Sequence, residues 1–236
     1  LDVAIAGDAG YTMAPGLAAG SEERRAVSAP DAHDPARTCK PFARDRSGLV
    51  LGEGAAFLVL ESVAHARARG AHCHGFVSGS GISNDAHHIG MPASEGQVRA
   101  LRAALSDASL SAGDIGYINA HATATDGGDV IEAAALRDVF GAGPDAARVS
   151  STKSVHGHLL GAASALELLL TIVAMERNLL PASAHLDQVD PRCDLNHVGA
   201  HPMADHAIRH ALSFSCGFGG TNVALVVSRR PTDPST

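Results

Sequence analysis

Three short strings in the sequence hold side chains that can donate protons or carry charge. One runs from Ser150 to Ala165 (SSTKSVHGHLLGAASA) and contains a lysine, a Gly-His pair and small residues that begin an apolar segment. The second, Asn119 to Glu132 (NAHATATDGGDVIE), places hydroxyl and acidic residues after a histidine. The third, Cys216 to Asn222 (CGFGGTN), is rich in glycine, which lets backbone turn sharply or approach a ligand. Imidazole exchanges protons near neutral pH, so these strings predict a polar site rather than core packing.

Apolar, β-rich runs and periodic segments show which elements must position these strings. Strands are predicted at Val3–Ala6, Ala55–Leu60, Gly75–Ser80, Ile115–Ala120, Val149–Ser151, Ala211–Ser215 and Val223–Ser228. Helices are predicted over 94–108, 130–140 and 157–175. The last of these is apolar on nearly every side, so it is expected to lie between two layers of secondary structure. Continuous apolar strands alternating with helices favour a layered α/β sandwich with a parallel or mixed sheet. Both histidine strings follow predicted strand ends, where open α/β sheets place their ligands.

Composition narrows the class of protein. The 236 residues are 45% hydrophobic and 18% charged with a formal net charge of −7, which indicates a packed globular chain and argues against nucleic-acid binding. Tryptophan is absent while alanine and glycine are abundant, so helices and strands should pack in close backbone contact. The segment Leu159–Met175 is shorter than the ~20 residues of a spanning helix and contains Glu167, so we expect a core helix.

The spacing of the cysteines and histidines argues against disulfide bonds and a structural metal site. The four cysteines (Cys39, Cys73, Cys193 and Cys216) form no CxxC motif, which favours free thiols in a reducing cytoplasm. No HExxH or paired Cys/His spacing is present, so we expect no metal site. The chain opens directly with LDVAIAG, a predicted buried strand with no leader before it, so we expect it to begin in the middle of a fold.

Together the three strings resemble the C-terminal active-site loops of β-ketoacyl-acyl-carrier-protein synthases, the condensing enzymes of fatty acid and polyketide assembly. The resemblance implies a thiolase-like fold, a layered αβαβα sandwich built from two related halves. On this interpretation, residues 1–70 are the tail of the N-terminal half and residues 71–236 form the complete C-terminal half. The segment Ser21–Cys39 would be a loop that leaves the layered core before the chain returns to it. The cysteine nucleophile of the family is expected upstream of Leu1.

The same resemblance assigns roles to charged residues of the strings. It implies that His121 and His158 donate N–H groups to the oxyanion of a thioester. Lys153 would lie near the first histidine with Glu132 as its carboxylate partner, because a buried ammonium needs one. Asp129 and Glu132 also have the spacing of a helix-start pair, so Glu132 can serve both purposes whereas Asp129 is expected to be structural.

The remaining candidates would contact the substrate. By resemblance, Thr123 and Thr125 bind the phosphopantetheine arm. They are two residues apart, so on an extended loop both hydroxyls point the same way. Phe218, followed by Gly219, matches a gating phenylalanine whose N–H completes an oxyanion hole. Cys216 replaces an aromatic residue beside the gate. It is expected to line the acyl pocket and not to be the nucleophile, which the family places at a helix start.

The implied function is a decarboxylative Claisen condensation of malonyl-acyl-carrier protein with an acyl-enzyme thioester, an acyltransferase reaction. The resemblance implies no metal or other cofactor, because the substrates are carried on the phosphopantetheine of acyl carrier protein. It also implies a homodimer, or a heterodimer of a ketosynthase with a partner. Fatty acid and polyketide pathways both remain open. Substitutions in the histidine loop and at Cys216 favour a specialised pathway.

Two other functions compete with this one. A non-catalytic partner resembling chain-length factors would pair with an active ketosynthase, but such partners commonly lose the histidines that this sequence retains. An autonomous scaffold or binding domain is the third possibility. The predicted strand at Leu1, which would have nothing before it to pair with, argues against it.

Overall fold

A computed structural model describes residues 1–11 and 27–230. Strands in these residues are β1 (Val3–Gly10), β2 (Gly54–Glu61), β3 (Phe76–Asn84), β4 (Tyr117–Asn119), β5 (Arg148–Ser150), β6 (His210–Gly217) and β7 (Thr221–Ser228). The α-helices are α1 (Val63–Ala68), α2 (Ser94–Asp107), α3 (Asp126–Phe140), α4 (Lys153–His156) and α5 (Ala163–Arg177). The first part of the predicted loop Ser21–Cys39, up to residue 26, lies outside the described residues.

The strands form two sheets. Five of them make a mixed sheet in the order β3-β7-β6-β4-β5. Pairing is antiparallel from β3 through β7 to β6, and parallel from β6 through β4 to β5. The other two strands, β1 and β2, pair with each other antiparallel along their full lengths. The carboxyl ends of β4, β5 and β6 therefore meet at one edge of the larger sheet.

Helices separate and cover these sheets. On one face of the five-stranded sheet lie α2 and α3, with Ala100, Leu101, Ala133 and Leu136 buried in the same core cluster as Phe214. The other face packs on α5, whose buried Leu168 and Met175 contact strand residues including partly buried Leu58 of β2. Helix α5 thus lies between the two sheets. The described residues stack as helix, sheet, helix and sheet, which confirms the predicted α/β sandwich.

Most predicted elements are confirmed, and two expectations need correction. All seven strands are present, with bounds shifted by up to four residues. The predicted helix over 157–175 begins only at Ala163, because Gly157 has φ of +71° and ends the separate helix α4. The expectation of a buried first strand without a partner is wrong. That strand pairs with β2, and most of its residues are exposed.

No helix among the described residues is both long and apolar enough to cross a membrane. The apolar segment that ends at Met175 packs instead inside the protein, as its length and Glu167 predicted.

Candidate active site

Both predicted histidines lie just beyond the sheet edge where β4, β5 and β6 end. His121 follows β4 by two residues, and the segment Lys153–His158 follows β5. The two imidazole rings meet edge to face, with centroids 5.4 Å apart and planes at 84°. Residues 37 positions apart in the chain thus form one histidine pair, as the strings predicted. Parallel pairing of β4 with β5 brings the two loops together.

Both histidines are held in the neutral form. Burial lowers the pKa of His121 well below its ordinary value, and the nearby Lys153 ammonium lowers it further. The same two causes lower the pKa of His158 to about 3. A neutral imidazole carries one N–H, so at physiological pH each ring can donate one hydrogen bond without first losing a proton.

Backbone contacts fix the orientation of His158. The Leu160 N–H donates to His158 Nδ1 at 3.3 Å, which places the remaining proton on Nε2. The backbone of His158 pairs with Val50 and Gly52: His158 N donates to Val50 O at 2.7 Å, and Gly52 N donates to His158 O at 3.0 Å. A Cβ at Gly157 would lie 2.9 Å from Val50 O, so only glycine allows this approach at a positive φ.

The loop that carries His121 is held by side chains from α3 and from the residue that follows β5. Glu132 Oε1 accepts from His121 N at 2.7 Å, and Asp129 Oδ1 accepts from Thr123 N at 3.1 Å. Ser151 Oγ donates to Ala122 O at 2.8 Å. His121 Nδ1 is buried and has no hydrogen-bond partner among the described residues. The loop backbone is therefore held by hydrogen bonds, while one nitrogen of the His121 ring has no such partner in the part of the chain that the structure describes.

Lys153 forms its ion pair with Glu167, not with the predicted Glu132. The Lys153 ammonium donates to Glu167 Oε1, and both side chains are fully buried. Glu167 lies on α5, the helix between the two sheets. The expectation of a carboxylate partner is right but its identity is wrong, because Glu132 Oε1 accepts from His121 N while Glu167 accepts from the ammonium. A carboxylate inside the apolar part of the helix, well before the charged Glu176 and Arg177 at its end, was the sequence signal for Glu167.

Two of the acidic residues of α3, Asp129 and Glu132, are buried and have raised pKa values. Burial raises the pKa of Glu132 to about 8, with a further rise from Asp129 and an opposing effect from Lys153. Burial raises the pKa of Asp129 to about 6, against hydrogen bonds to its carboxylate and the charge of Arg46. Asp129 Oδ2 also accepts from Phe42 N at 2.8 Å, so Asp129 connects α3 to another segment. The predicted helix start at Asp129 is wrong, because α3 begins at Asp126 with Thr125 as its N-cap.

Arg46 is a buried residue that sequence reasoning missed. Its guanidinium donates from Nε to Thr125 O at 3.1 Å and from Nη2 to Asp126 O at 2.6 Å, at the end of the His121 loop. From Nη1 it donates to Asp190 Oδ2 at 2.7 Å. Three chain segments thus meet on one guanidinium. Only the Asp-Arg pair of the string CKPFARDRSG could have signalled it, and such pairs are common on surfaces.

The predicted substrate residues lie around the same edge. Thr123 and Thr125 place their hydroxyl oxygens 3.1 Å apart, as their spacing predicted. Phe218 is exposed in the turn between β6 and β7, and Gly219 N donates to Ile89 O at 2.8 Å. Cys216 was expected in that turn but is the penultimate residue of β6. Burial and the nearby Glu132 carboxylate raise its pKa, which disfavours the thiolate that a nucleophile needs.

The chain is similar in sequence to known condensing enzymes. The family model "Beta-ketoacyl synthase, C-terminal domain" matches residues 74–187, and the corresponding N-terminal domain matches residues 1–66. Nodulation protein E of Rhizobium leguminosarum bv. trifolii is 43% identical over 224 residues, which is 95% of this chain and 54% of the relative. The 3-oxoacyl-[acyl-carrier-protein] synthase 2 of Staphylococcus aureus is 41% identical over 88% of this chain and 51% of the relative.

Solved structures agree with the sequence matches. The ishigamide ketosynthase/chain length factor superposes with a TM-score of 0.89 and 35% identity over 98% of this chain and 54% of that one. The type II polyketide ketosynthase AntDE, in complex with the acyl-carrier protein AntF, has a TM-score of 0.92 and 30% identity over 97% of this chain and 56% of that one. This chain belongs to the β-ketoacyl synthase family and has the ketosynthase fold. It spans about half the length of the curated relatives it matches.

Proposed function

We propose that this chain supplies the histidine-bearing part of a β-ketoacyl-acyl-carrier-protein synthase, which condenses malonyl-acyl-carrier protein with an acyl-enzyme thioester. The observation that carries the proposal is the pair of neutral, partly buried imidazoles of His121 and His158 beside the Lys153–Glu167 ion pair. Two N–H donors at one point are what a thioester oxyanion requires. The condensing enzymes among the matched relatives support the same reaction class.

The proposed reaction has two stages. An upstream cysteine, expected from the family resemblance, first takes the acyl group from a carrier and releases the carrier thiol. Malonyl-carrier then loses carbon dioxide, and the electron pair of the broken C–C bond forms an enolate. Its oxygen accepts N–H hydrogen bonds from His121 and His158. The enolate carbon attacks the acyl-cysteine, the cysteine thiolate leaves, and the product is a β-ketoacyl-carrier two carbons longer.

Neutral imidazoles suit the decarboxylation step. An imidazolium is acidic enough to transfer a proton to the enolate and so consume the nucleophile, whereas a neutral imidazole donates a hydrogen bond and keeps its proton. In this site burial and Lys153 keep both pKa values low, so the donors are ready in every cycle. Because these donors stabilise the oxyanion, the proposal invokes no metal or organic cofactor.

We further propose that Thr123 and Thr125 hydrogen-bond the phosphopantetheine arm that carries the substrate. Their adjacent hydroxyls support this role. Phe218 would gate acyl entry, with Gly219 allowing the turn and Cys216 lining the pocket. The partner is an acyl carrier protein, as in the matched AntDE:AntF complex, and the enzyme works as a homodimer or a ketosynthase heterodimer. Four free thiols support a cytoplasmic location.

A chain-length-factor-like partner is the second candidate, favoured by the match to a ketosynthase/chain length factor structure. Such a subunit would shape a tunnel without releasing carbon dioxide. The retained His121, Lys153 and His158, which lie together at one edge of the sheet, support catalysis instead. Measuring decarboxylation separates the two candidates directly.

The test is carbon dioxide release from malonyl-acyl-carrier protein by the condensing enzyme that contains this chain. We expect His158→Ala to lower the rate by about 10²–10³-fold, the usual cost of one oxyanion donor. His121→Ala should cause a loss of the same order. His201→Ala, an exposed histidine elsewhere, is the matched control and should leave the rate unchanged. Wild-type rates in both active-site variants would refute the assignment, and an inactive wild-type enzyme would favour the partner role.

A further inference from the structure

A group of metal-binding side chains lies on the surface outside the histidine pair. His72 and His74 flank Cys73 in the segment between α1 and β3, and Glu176 is the penultimate residue of α5. The two histidine rings contact each other at 4.8 Å between centroids, with planes at 89°. His74 Nδ1 lies 2.7 Å and His72 Nε2 lies 3.5 Å from the same Glu176 oxygen.

We propose that His72, His74 and Glu176 bind a divalent transition-metal ion of the Zn²⁺ type. Their three ligand atoms all lie within 4.8 Å of one another. In a tetrahedral zinc site with bonds of about 2.0–2.1 Å, neighbouring ligand atoms are about 3.3 Å apart. The His72–Glu176 separation already fits, and the His74–Glu176 separation must open by about half an ångström to match that spacing.

The two histidine ligand atoms, which lie within 4.8 Å of each other, must also approach that spacing, and the surroundings permit the rings to move. The His72 and His74 side chains are 77% and 66% exposed, so the rings can turn without disturbing the core. Two imidazoles and a carboxylate form a donor set that zinc commonly takes. Water would complete the coordination, because three protein ligands leave a tetrahedral position open. The histidines are separated by only one residue and the carboxylate by about a hundred, so no motif indicated the group.

The proposed ion would join two parts of the fold. Glu176 ends the helix that packs between the sheets, whereas His72 and His74 lead into the edge strand β3. A shared metal would tie these ends together. Because the unfolded chain does not hold Glu176 near the histidines, zinc should bind the folded state preferentially and raise the melting temperature. The inference does not depend on the proposed condensing activity.

Calorimetric titration of the chelator-treated chain with zinc chloride tests the site. We expect one equivalent of zinc to bind the wild-type chain and to raise its melting temperature. Glu176→Gln and the double variant His72→Ala/His74→Ala should each weaken binding by at least about tenfold and lose the thermal shift. Circular dichroism of each variant without zinc establishes that it is folded.

Two controls exclude other ligands. His87→Ala/His88→Ala removes an exposed histidine pair elsewhere and should bind zinc like the wild type. Cys73→Ser removes the thiol between the proposed ligands and should do the same. Absence of zinc binding to the wild type, or equal affinity in Glu176→Gln, would overturn the proposal. Loss of binding in Cys73→Ser with retention in Glu176→Gln would assign the metal to a different ligand set and overturn it as well.

Discussion

The histidine pair is kept neutral first by burial and second by a neighbouring positive charge that is itself paired with a carboxylate. Lys153 lowers the pKa of both His121 and His158, and its own charge is balanced by Glu167. Removing either partner of a buried ion pair leaves an uncompensated charge, which costs about 3–5 kcal/mol. The pair therefore maintains the fold and the protonation state of the histidines together.

Glu132 should make stability fall as the pH rises above neutrality. Its pKa is about 8 in the folded chain against an ordinary value of 4.5, so the folded state holds its proton over this interval while the unfolded state has lost it. The resulting stability is complete below about pH 4.5 and is lost as the pH rises through about 8. Urea unfolding between pH 7 and 8 should show this decline in the wild type and a flatter profile in Glu132→Gln.

Glu95→Gln provides the control for the Glu132 experiment. Glu95 is an exposed carboxylate in the first turn of α2, so its removal should leave the wild-type slope unchanged. Identical slopes in all three proteins would contradict the protonation of Glu132 near neutral pH.

At the scale of elements, β3 and α2 pack with almost no side chain between them. A Cβ added at Gly79 would lie 2.5 Å from Ala104 O, and one at Gly81 would lie 2.0 Å from Ala100 O. The facing helix residues Ala100 and Ala104 are fully buried. This is the close helix–strand contact that the abundance of glycine and alanine predicted.

Gly81→Ala should therefore destabilise the chain by about 2–3 kcal/mol or more, because the added methyl group meets helix backbone that cannot move aside. The free energy of unfolding in urea is the measurement. Gly127→Ala is the matched control: this residue lies in the first turn of α3 and its added Cβ would have no atom within 4 Å. That variant should be unchanged or more stable by up to about 1 kcal/mol. Equal stability of the two variants would contradict the close packing.

At the scale of the whole molecule, one face of the β1–β2 sheet is apolar and open to solvent. Ile5 and Val59 are directly paired across the strands and are 73% and 65% exposed, and Phe57 is 58% exposed. Leu58, pointing the opposite way, packs against the core beside α5. Contiguous apolar residues of this kind mark surfaces that associate with other molecules.

We expect this face to make the chain self-associate. The double variant Ile5→Ser/Val59→Ser should shift sedimentation velocity profiles toward the monomer at concentrations where the wild type associates. Val155→Ser replaces a single exposed valine outside the sheet and should leave association unchanged. A monomeric wild type at every concentration, or equal association in the double variant, would contradict the expectation.

Local sequence alone determined much of this protein. All seven strands, the helices α2 and α3, and the positions of His121 and His158 at strand ends follow from periodicity, glycine and apolar runs, which act over a few residues. The contact between the Thr123 and Thr125 hydroxyls likewise follows from their separation of two residues in the chain. The predicted start of α5 is wrong because the apolar pattern continues through Gly157, whose positive φ the pattern does not reveal.

Tertiary structure decided which distant residues meet. It placed Glu167 rather than Glu132 on Lys153, joined three segments on Arg46, and brought Glu176 to His72 and His74. Each pairing depends on the positions that α5 and the loops take in the folded chain. Those positions are set by packing of the whole core rather than by any one segment. Charge and residue type indicate that a buried lysine must have a partner, but several carboxylates satisfy that requirement. Only the path of the folded chain selects among them.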